Sequence, residues 1–161
     1  MFREMRRSNQ LLDAETVAKV LTEARRGTLS VLGDDGYPYG MPINFVYDPE
    51  SGPHGSILFH AALVGHKIDA ITACDKVSFC TMDDGYRNEG EWWWYVRSVV
   101  CFGRAAVVKD PQRKHDALFM LASKYFPPEV DIEAGIAKGT DRIHMIEVAI
   151  EHVTGKLVQE K

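Results

Sequence analysis

The stretch TLSVLGDDGYPYGMPINFVY, Thr28 to Tyr47, decides the fold. Thr28 to Leu32 reads as a short apolar strand, GDDG at Gly33 to Gly36 supplies the Gly and Asp that tight turns favour, and Tyr39 to Tyr47 reads as a second strand. The unit is a β-hairpin. Pro38 and Pro42 lack the N–H that a central strand must donate, so the second strand is expected at a sheet edge or at a bulge.

Outward from the hairpin, strand patterns continue. DPESGPHG, Asp48 to Gly55, is a turn; Ser56 to Ala62 is a third strand, Gly65 to Ala73 a short helix and Lys76 to Met82 a fourth strand. Trp92 to Val108 reads as a long fifth strand that must bend or bulge. Asp110 and Pro111 open a helix through about Tyr125, Pro127-Pro128-Glu129 is expected to open another, and Ile143 to Val153 is a final strand. Upstream, Leu12, Val17, Val20, Leu21 and Ala24 fall at helical spacing, so Asp13 to Arg26 reads as an amphipathic helix with Asp13 as cap and Gly27 as stop. Strands dominate the middle, helices flank them and no βαβ alternation occurs. A mainly β fold with α elements is expected, an antiparallel barrel with flanking helices rather than a doubly wound sheet.

The chain has 161 residues and shows no linker, repeat or low-complexity tract, so residues 1–161 read as a single domain. A net charge of -4 argues against a nucleic-acid partner, because phosphate backbones are met by clustered Lys and Arg. Arg3, Arg6 and Arg7 form a short basic cluster that reads as a solvated tail. Cys74, Cys80 and Cys101 make no CxxC pair and leave an odd thiol, so neither a disulfide framework nor a metal site is expected. No apolar run approaches the roughly 20 residues of a membrane span. MFREMRRSNQ lacks the apolar core of a secretory signal, and a cytoplasmic location with no membrane partner is expected.

Chemistry concentrates on FHAALVGHKID, Phe59 to Asp69. His66 and Lys67 fall in the first turn of the expected helix, where free N–H groups and the positive end of the dipole disfavour cations. A phosphate bound there would relieve that conflict, with Lys67 and His66 as donors; alternatively both side chains point into water and Asp69 offsets their charge. His60 shares a strand face with Leu58 and Ala62, so it is either a core imidazole or a cavity-lining proton donor or substrate anchor. Around Pro42, main-chain groups of Met41, Pro42, Ile43 and Asn44 could meet the mixed donor and acceptor edge of a flavin ring, or the prolines could simply guard an edge from aggregation.

Trp92-Trp93-Trp94-Tyr95 puts large aromatics on both faces of a strand, so an interface or a ligand ring should cover one face. The face of Trp93, Tyr95, Arg97, Val99 and Cys101 is the expected subunit and cofactor contact. No GxSxG, HExxH or GxGxxG is present, and Asp34-Asp35 and Asp83-Asp84 read as turn residues. A bound cofactor as the source of chemistry suits that absence.

Six segments in order, REMRRSNQ, GDDGYPYGMPINFVY, FHAALVGHKIDAI, KVSFCTM, YVRSVVCFGRAAVV and EHVTGK, resemble the nitroimidazole-resistance (Nim) flavoproteins of the pyridoxamine 5'-phosphate oxidase-like split-barrel superfamily. The resemblance spans nearly the whole chain. It implies an FMN-binding split β-barrel that forms a homodimer, with flavin sites at the interface. By position, it implies that Met41, Pro42, Ile43 and Asn44 line the flavin with Phe59, His60 and Ala61, while Gly65, His66 and Lys67 hold its phosphate. It places His60 beside the flavin in its redox chemistry, and draws Tyr95, Ser98 and Val99 from the partner subunit. The implied activity is that of a flavin-dependent oxidoreductase, a nitroreductase type acting on a small acceptor. The rival expectations are a flavin- or haem-binding carrier without turnover and a purely structural dimer. The chain lacks an RxxLLK-type stretch and the C-terminal substrate-phosphate arginines of true pyridoxamine-phosphate oxidases, which argues against vitamin B6 oxidation. Its WWW run is also more aromatic than the Nim pattern.

Overall fold

The strand that begins at Pro38 changes partners at Phe45, and this change organises the computed structural model, which describes residues 2–161. In chain order the elements are α1 (Ala14–Glu23), β1 (Arg26–Leu32), β2 (Pro38–Asn44), β3 (Val46–Asp48), β4 (Ser56–Ala62), α2 (His66–Ala73), β5 (Lys76–Met82), β6 (Trp94–Val107), α3 (Pro111–Tyr125), α4 (Ile132–Gly139) and β7 (Ile143–Glu160). The strands form one antiparallel sheet in the order β2-β1-β5-β6-β7-β4-β3. Because β2 and β3 at its two ends are separated only by Phe45, the sheet must curl until both edges meet the same segment. The result is a split barrel with flanking helices.

Side-chain alternation fills that barrel. Leu29, Met41, Ile43, Phe45, Ile57, Phe59, Phe79, Val99, Cys101, Ile146 and Val148 are buried in one cluster, to which α1 adds Val17, Val20 and Leu21 and α2 adds Ala70 and Ile71. Leu58 and Met145 face the other way and form a second core with Ala117, Leu118 and Leu121 of α3. This explains the unbroken apolar run of β4, which is covered on both faces. Arg113 of α3 pins the second layer through Asp48, Glu147 and Ser56. The long β6–β7 ladder carries the expected irregularity: Phe102 faces His152 but Gly103 faces Ile150, so Glu151 of the partner strand is the extra residue. A Cβ at Gly103 would lie 2.3 Å from the Ala149 carbonyl oxygen, so only glycine permits this approach.

Several expectations are corrected. The second strand is not continuous to Tyr47 but breaks at Phe45. Helix α1 ends at Glu23, and Gly27 lies inside β1, where a Cβ would sit 2.2 Å from the Phe79 ring; the glycine serves packing rather than termination. Residues 127–130 form a turn, and α4 begins at Ile132 under an Asp131 cap that accepts from the Ala134 N–H. Consecutive prolines disfavour helical geometry in the residue before each. Trp92 and Trp93 precede β6, and β7 runs on to Glu160 because it pairs with all of β6. The faces of β6 are also reversed. Cys101 pairs with Phe79, which is fully buried, so Tyr95, Val99 and Cys101 point into the barrel while Trp94 and Phe102 point out. Among the described residues, no helix is long and apolar enough to cross a membrane.

Candidate functional site at the split

Strand β3 pairs with β4 only through Val46–Leu58, Tyr47–Ile57 and Asp48–Ser56. Were that register continued, Phe59, His60, Ala61 and Ala62 would face Phe45, Asn44, Ile43 and Pro42. They do not, because Pro38 to Asn44 pair with β1 instead. Two strand edges therefore diverge, each leaving main-chain donors and acceptors unpaired on the side facing the opening. The residues expected to line a flavin ring from two sequence-distant segments stand on the two sides of this split.

Tyr125 holds the fork open. Its hydroxyl accepts from the Phe45 N–H at 3.0 Å, and its proton is shared between the carbonyl oxygens of Arg25 and Phe45. The aromatic body packs on the second core, and burial pushes the phenol above its ordinary pKa. Beside it, Lys124 donates to the Ala24 carbonyl at 2.7 Å, and burial together with nearby Arg25 lowers its ammonium to about 8.

Side-chain direction divides the predicted residues. Met41, Ile43, Phe59 and Ala61 point into the core and offer the opening only their main chain. Pro42, Asn44 and His60 point outward and are exposed. His60 is thus no core imidazole: with Asn44 it lines a cavity of about 460 Å³ between the sheet and α3 and α4.

The start of α2 spans the mouth of the split. Gly65 adopts φ +130° and caps the helix without a side chain, its carbonyl accepting from Ile68 and Asp69 and leaving the N–H groups of His66 and Lys67 without an acceptor in the helix. His66 stacks on Tyr39 of β2, ring centroids 4.5 Å apart, with Nε2 3.5 Å from an Asp34 carboxylate oxygen. Lys67 turns inward toward β4, its Nζ 5.5 Å from the centre of the Phe59 ring. Burial pushes its pKa down, and among the described residues no carboxylate lies within 4.0 Å of it. His66 thus lies over Tyr39 and Lys67 over Phe59. A half-buried ammonium beside two free N–H groups suits a phosphate, and the unpaired edges suit a ring with a mixed polar edge, so the residues present fit a phosphorylated flavin.

Tyr95, Ser98 and Val99 lie elsewhere on the barrel. Val99 is fully buried and Tyr95 stacks on Tyr86 with centroids 5.0 Å apart, while Ser98 opens onto an outer groove with Arg26, Pro42, Cys80 and Arg97. Sequence reasoning missed Tyr125, Arg142 and the wall of α3 and α4 around the cavity. The visible signal was Gly135 and Gly139, one turn apart on the same helical face as Ile132 and Ile136.

These features define a split barrel whose opening is lined by main-chain edges and a helix start. Residues 13–157 match the family model described as pyridoxamine 5'-phosphate oxidase, and the chain belongs to that family. Among solved structures, it is similar to a Bacteroides thetaiotaomicron protein named for 5-nitroimidazole antibiotic resistance, at 18% identity and TM-score 0.75, covering 93% of this chain and 87% of that one. It is also similar to an FAD-binding protein of Mycobacterium smegmatis, at 20% identity and TM-score 0.65 over 94% and 99% of the two chains. A third is the flavocytochrome Anf3 of Azotobacter vinelandii, at 20% identity and TM-score 0.73 over 97% and 72%. No curated protein matches the chain. At these identities the structural likenesses speak to fold.

Proposed function

We propose that this chain is an FMN-binding, flavin-dependent oxidoreductase of the cytoplasm that acts on a small acceptor of the nitroaromatic kind. The observation that carries the reading is the convergence of two unpaired strand edges and the uncapped start of α2 on one opening. Lys67 and the N–H groups of His66 and Lys67 would hold the phosphate, and the cost of half-burying the Lys67 ammonium is recovered when an anion arrives. Main-chain groups of Met41 to Asn44 and Phe59 to Ala61 would orient the ring, and Met41, Ile43 and Phe59 keep water from its inner side. When bound, the flavin supplies redox chemistry that no side chain here can supply. His60, exposed at the cavity wall, would orient the acceptor or hold a proton at a ring nitrogen beside it.

A homodimer completes the reading. Met82, Trp94 and Phe102 are 65%, 45% and 40% exposed on the outer sheet face, where a second copy would cover them. Packing that face on a second copy would bring Ser98 of β6 toward the partner's flavin, with Tyr95 and Val99 behind it inside the barrel.

The test is to load the chain with FMN, reduce it, and follow reoxidation by a nitroimidazole. The reading expects the rate to rise with acceptor concentration and to fall in His60→Ala. FMN binding with a rate independent of acceptor refutes the reductase and leaves a carrier, whereas turnover unchanged in His60→Ala takes His60 out of the chemistry.

A further inference from the structure

The cavity beneath α4 has a composition of its own. Its walls are apolar, from Leu118, Leu121 and the Tyr125 and Phe126 rings at the end of α3 to Ile132 and Ile136 of α4, and no acidic residue lines it. Its polar groups are few: Asn44 and His60 stand on the strand edges, and Thr140 and Arg142 stand just after α4. The Tyr125 hydroxyl is already committed to the main chain of Phe45 and Arg25. Arg142 is exposed, and among the described residues no carboxylate lies within 4.0 Å of its guanidinium. Ladder register puts Ile143 opposite Ala62, so Arg142 stands about three residues along the sheet from His60, roughly 10 Å at strand spacing.

Helix α4 is built to leave this space open. It buries no residue of its own, and Ile132, Gly135, Ile136 and Gly139 form one helical stripe over the cavity. A Cβ added at Gly135 or Gly139 would touch nothing within 4 Å. Glycine is a poor helix former, and here it answers to no close backbone approach. It preserves volume.

Resting on the flavin reading of the split, we propose that this cavity selects the acceptor, and that the acceptor is a small carboxylic acid whose ring-sized, otherwise apolar body carries the nitro group that the reduced flavin reduces. The apolar walls take the body, Arg142 takes the carboxylate, and Asn44 and His60 meet the end that faces the split. A cavity of about 460 Å³ is within the range that small-molecule sites occupy and holds one such ring with its side chain. An arginine fork recognises a carboxylate in two parallel hydrogen bonds, which an amide of the same shape cannot reproduce.

The experiment is calorimetric titration of the FMN-loaded protein with 3-phenylpropanoate and, separately, 3-phenylpropanamide. The wild type should bind the acid saturably and more tightly than the amide. Arg142→Gln, at an exposed position, should weaken the acid at least about tenfold and leave the amide unchanged. Gly135→Leu should abolish both while FMN loading, read from the visible spectrum, stays at the wild-type level. Absence of saturable binding at millimolar acid, equal binding of acid and amide, or wild-type affinity in Gly135→Leu overturns the proposal. If the chain takes up no FMN yet binds the acid in an Arg142- and Gly135-dependent way, the flavin reading fails and the cavity assignment stands.

Discussion

Replacing Tyr125 by Phe removes one oxygen atom and leaves the ring packed on the second core, so it isolates the lock at the fork of the barrel. The lost oxygen accepts from the Phe45 N–H at 3.0 Å and donates to the carbonyl oxygens that share its proton. Each such bond is worth about 1 kcal/mol net, and a buried donor left without a partner costs about 1–3 kcal/mol more. Phe45 is fully buried, which argues for the penalty, while the half-buried Tyr125 lets water approach the vacated position, which argues against its full value. Balancing the two gives about 2 kcal/mol of destabilisation, or roughly 4–8 °C in Tm for a chain of this size. Urea titration with both variants at the same slope measures it directly. The same variant should loosen FMN, because Phe45 is where the two edges part. A stability change below about 0.5 kcal/mol with FMN affinity unaltered would refute the lock, since a surface substitution alone stays within that range.

Other consequences are equally concrete. Arg113→Met leaves Asp48 and Glu147 facing each other without their cation, and should cost about 3 kcal/mol in denaturant titration, as breaking a buried pair does. Burial alone would push Glu147 up, but hydrogen bonds from Arg113, Ser56 and Ser51 together hold it below the ordinary carboxylate range. Its stabilisation is therefore present above the unfolded pKa and disappears as pH falls through the lower folded value, so wild type and Arg113→Met should converge in acid. His115 of α3 holds α4 through Glu133 at 2.9 Å, and that bond, with Asp116, raises its pKa. The clasp is fully present below the unfolded pKa of about 6.5 and is lost as pH rises through the raised folded value. Hydrogen exchange in α4, after correction for intrinsic rates, should accelerate over that alkaline step, and Glu133→Gln should flatten it. Finally, FMN affinity should fall as pH rises through the lowered Lys67 pKa, and a slope that persists in Lys67→Ala would contradict the phosphate role.

How much of this was legible beforehand follows from which physics is local. The boundaries of β4 and β5 came directly from apolar runs bounded by turn residues, and the caps Asp13 and Asp110 were readable because an Asp ahead of an apolar helical pattern has one dominant use. Pro38 and Pro42 located the edge strand. What stayed hidden depends on partners far along the chain. The break at Phe45 requires Tyr125, 80 residues away, to satisfy its main chain, and no local pattern announces that. The facing of β6 is decided by its register against Phe79, because both faces of Trp94 to Phe102 carry enough apolar residues to be cores. The segment Gly65 to Lys67 was readable as a helix start carrying cations, but Tyr39 and Phe59 as their neighbours came only with the tertiary fold.

Titration of the purified chain with FMN, followed by visible absorbance and flavin fluorescence, asks whether the split takes up a flavin through Lys67. Saturation is expected at one FMN per chain, with a changed flavin spectrum on binding and affinity at least about tenfold weaker in Lys67→Ala. A spectrum identical to that of free FMN at every concentration, or a purified protein whose Soret band reports haem at the split, would contradict it.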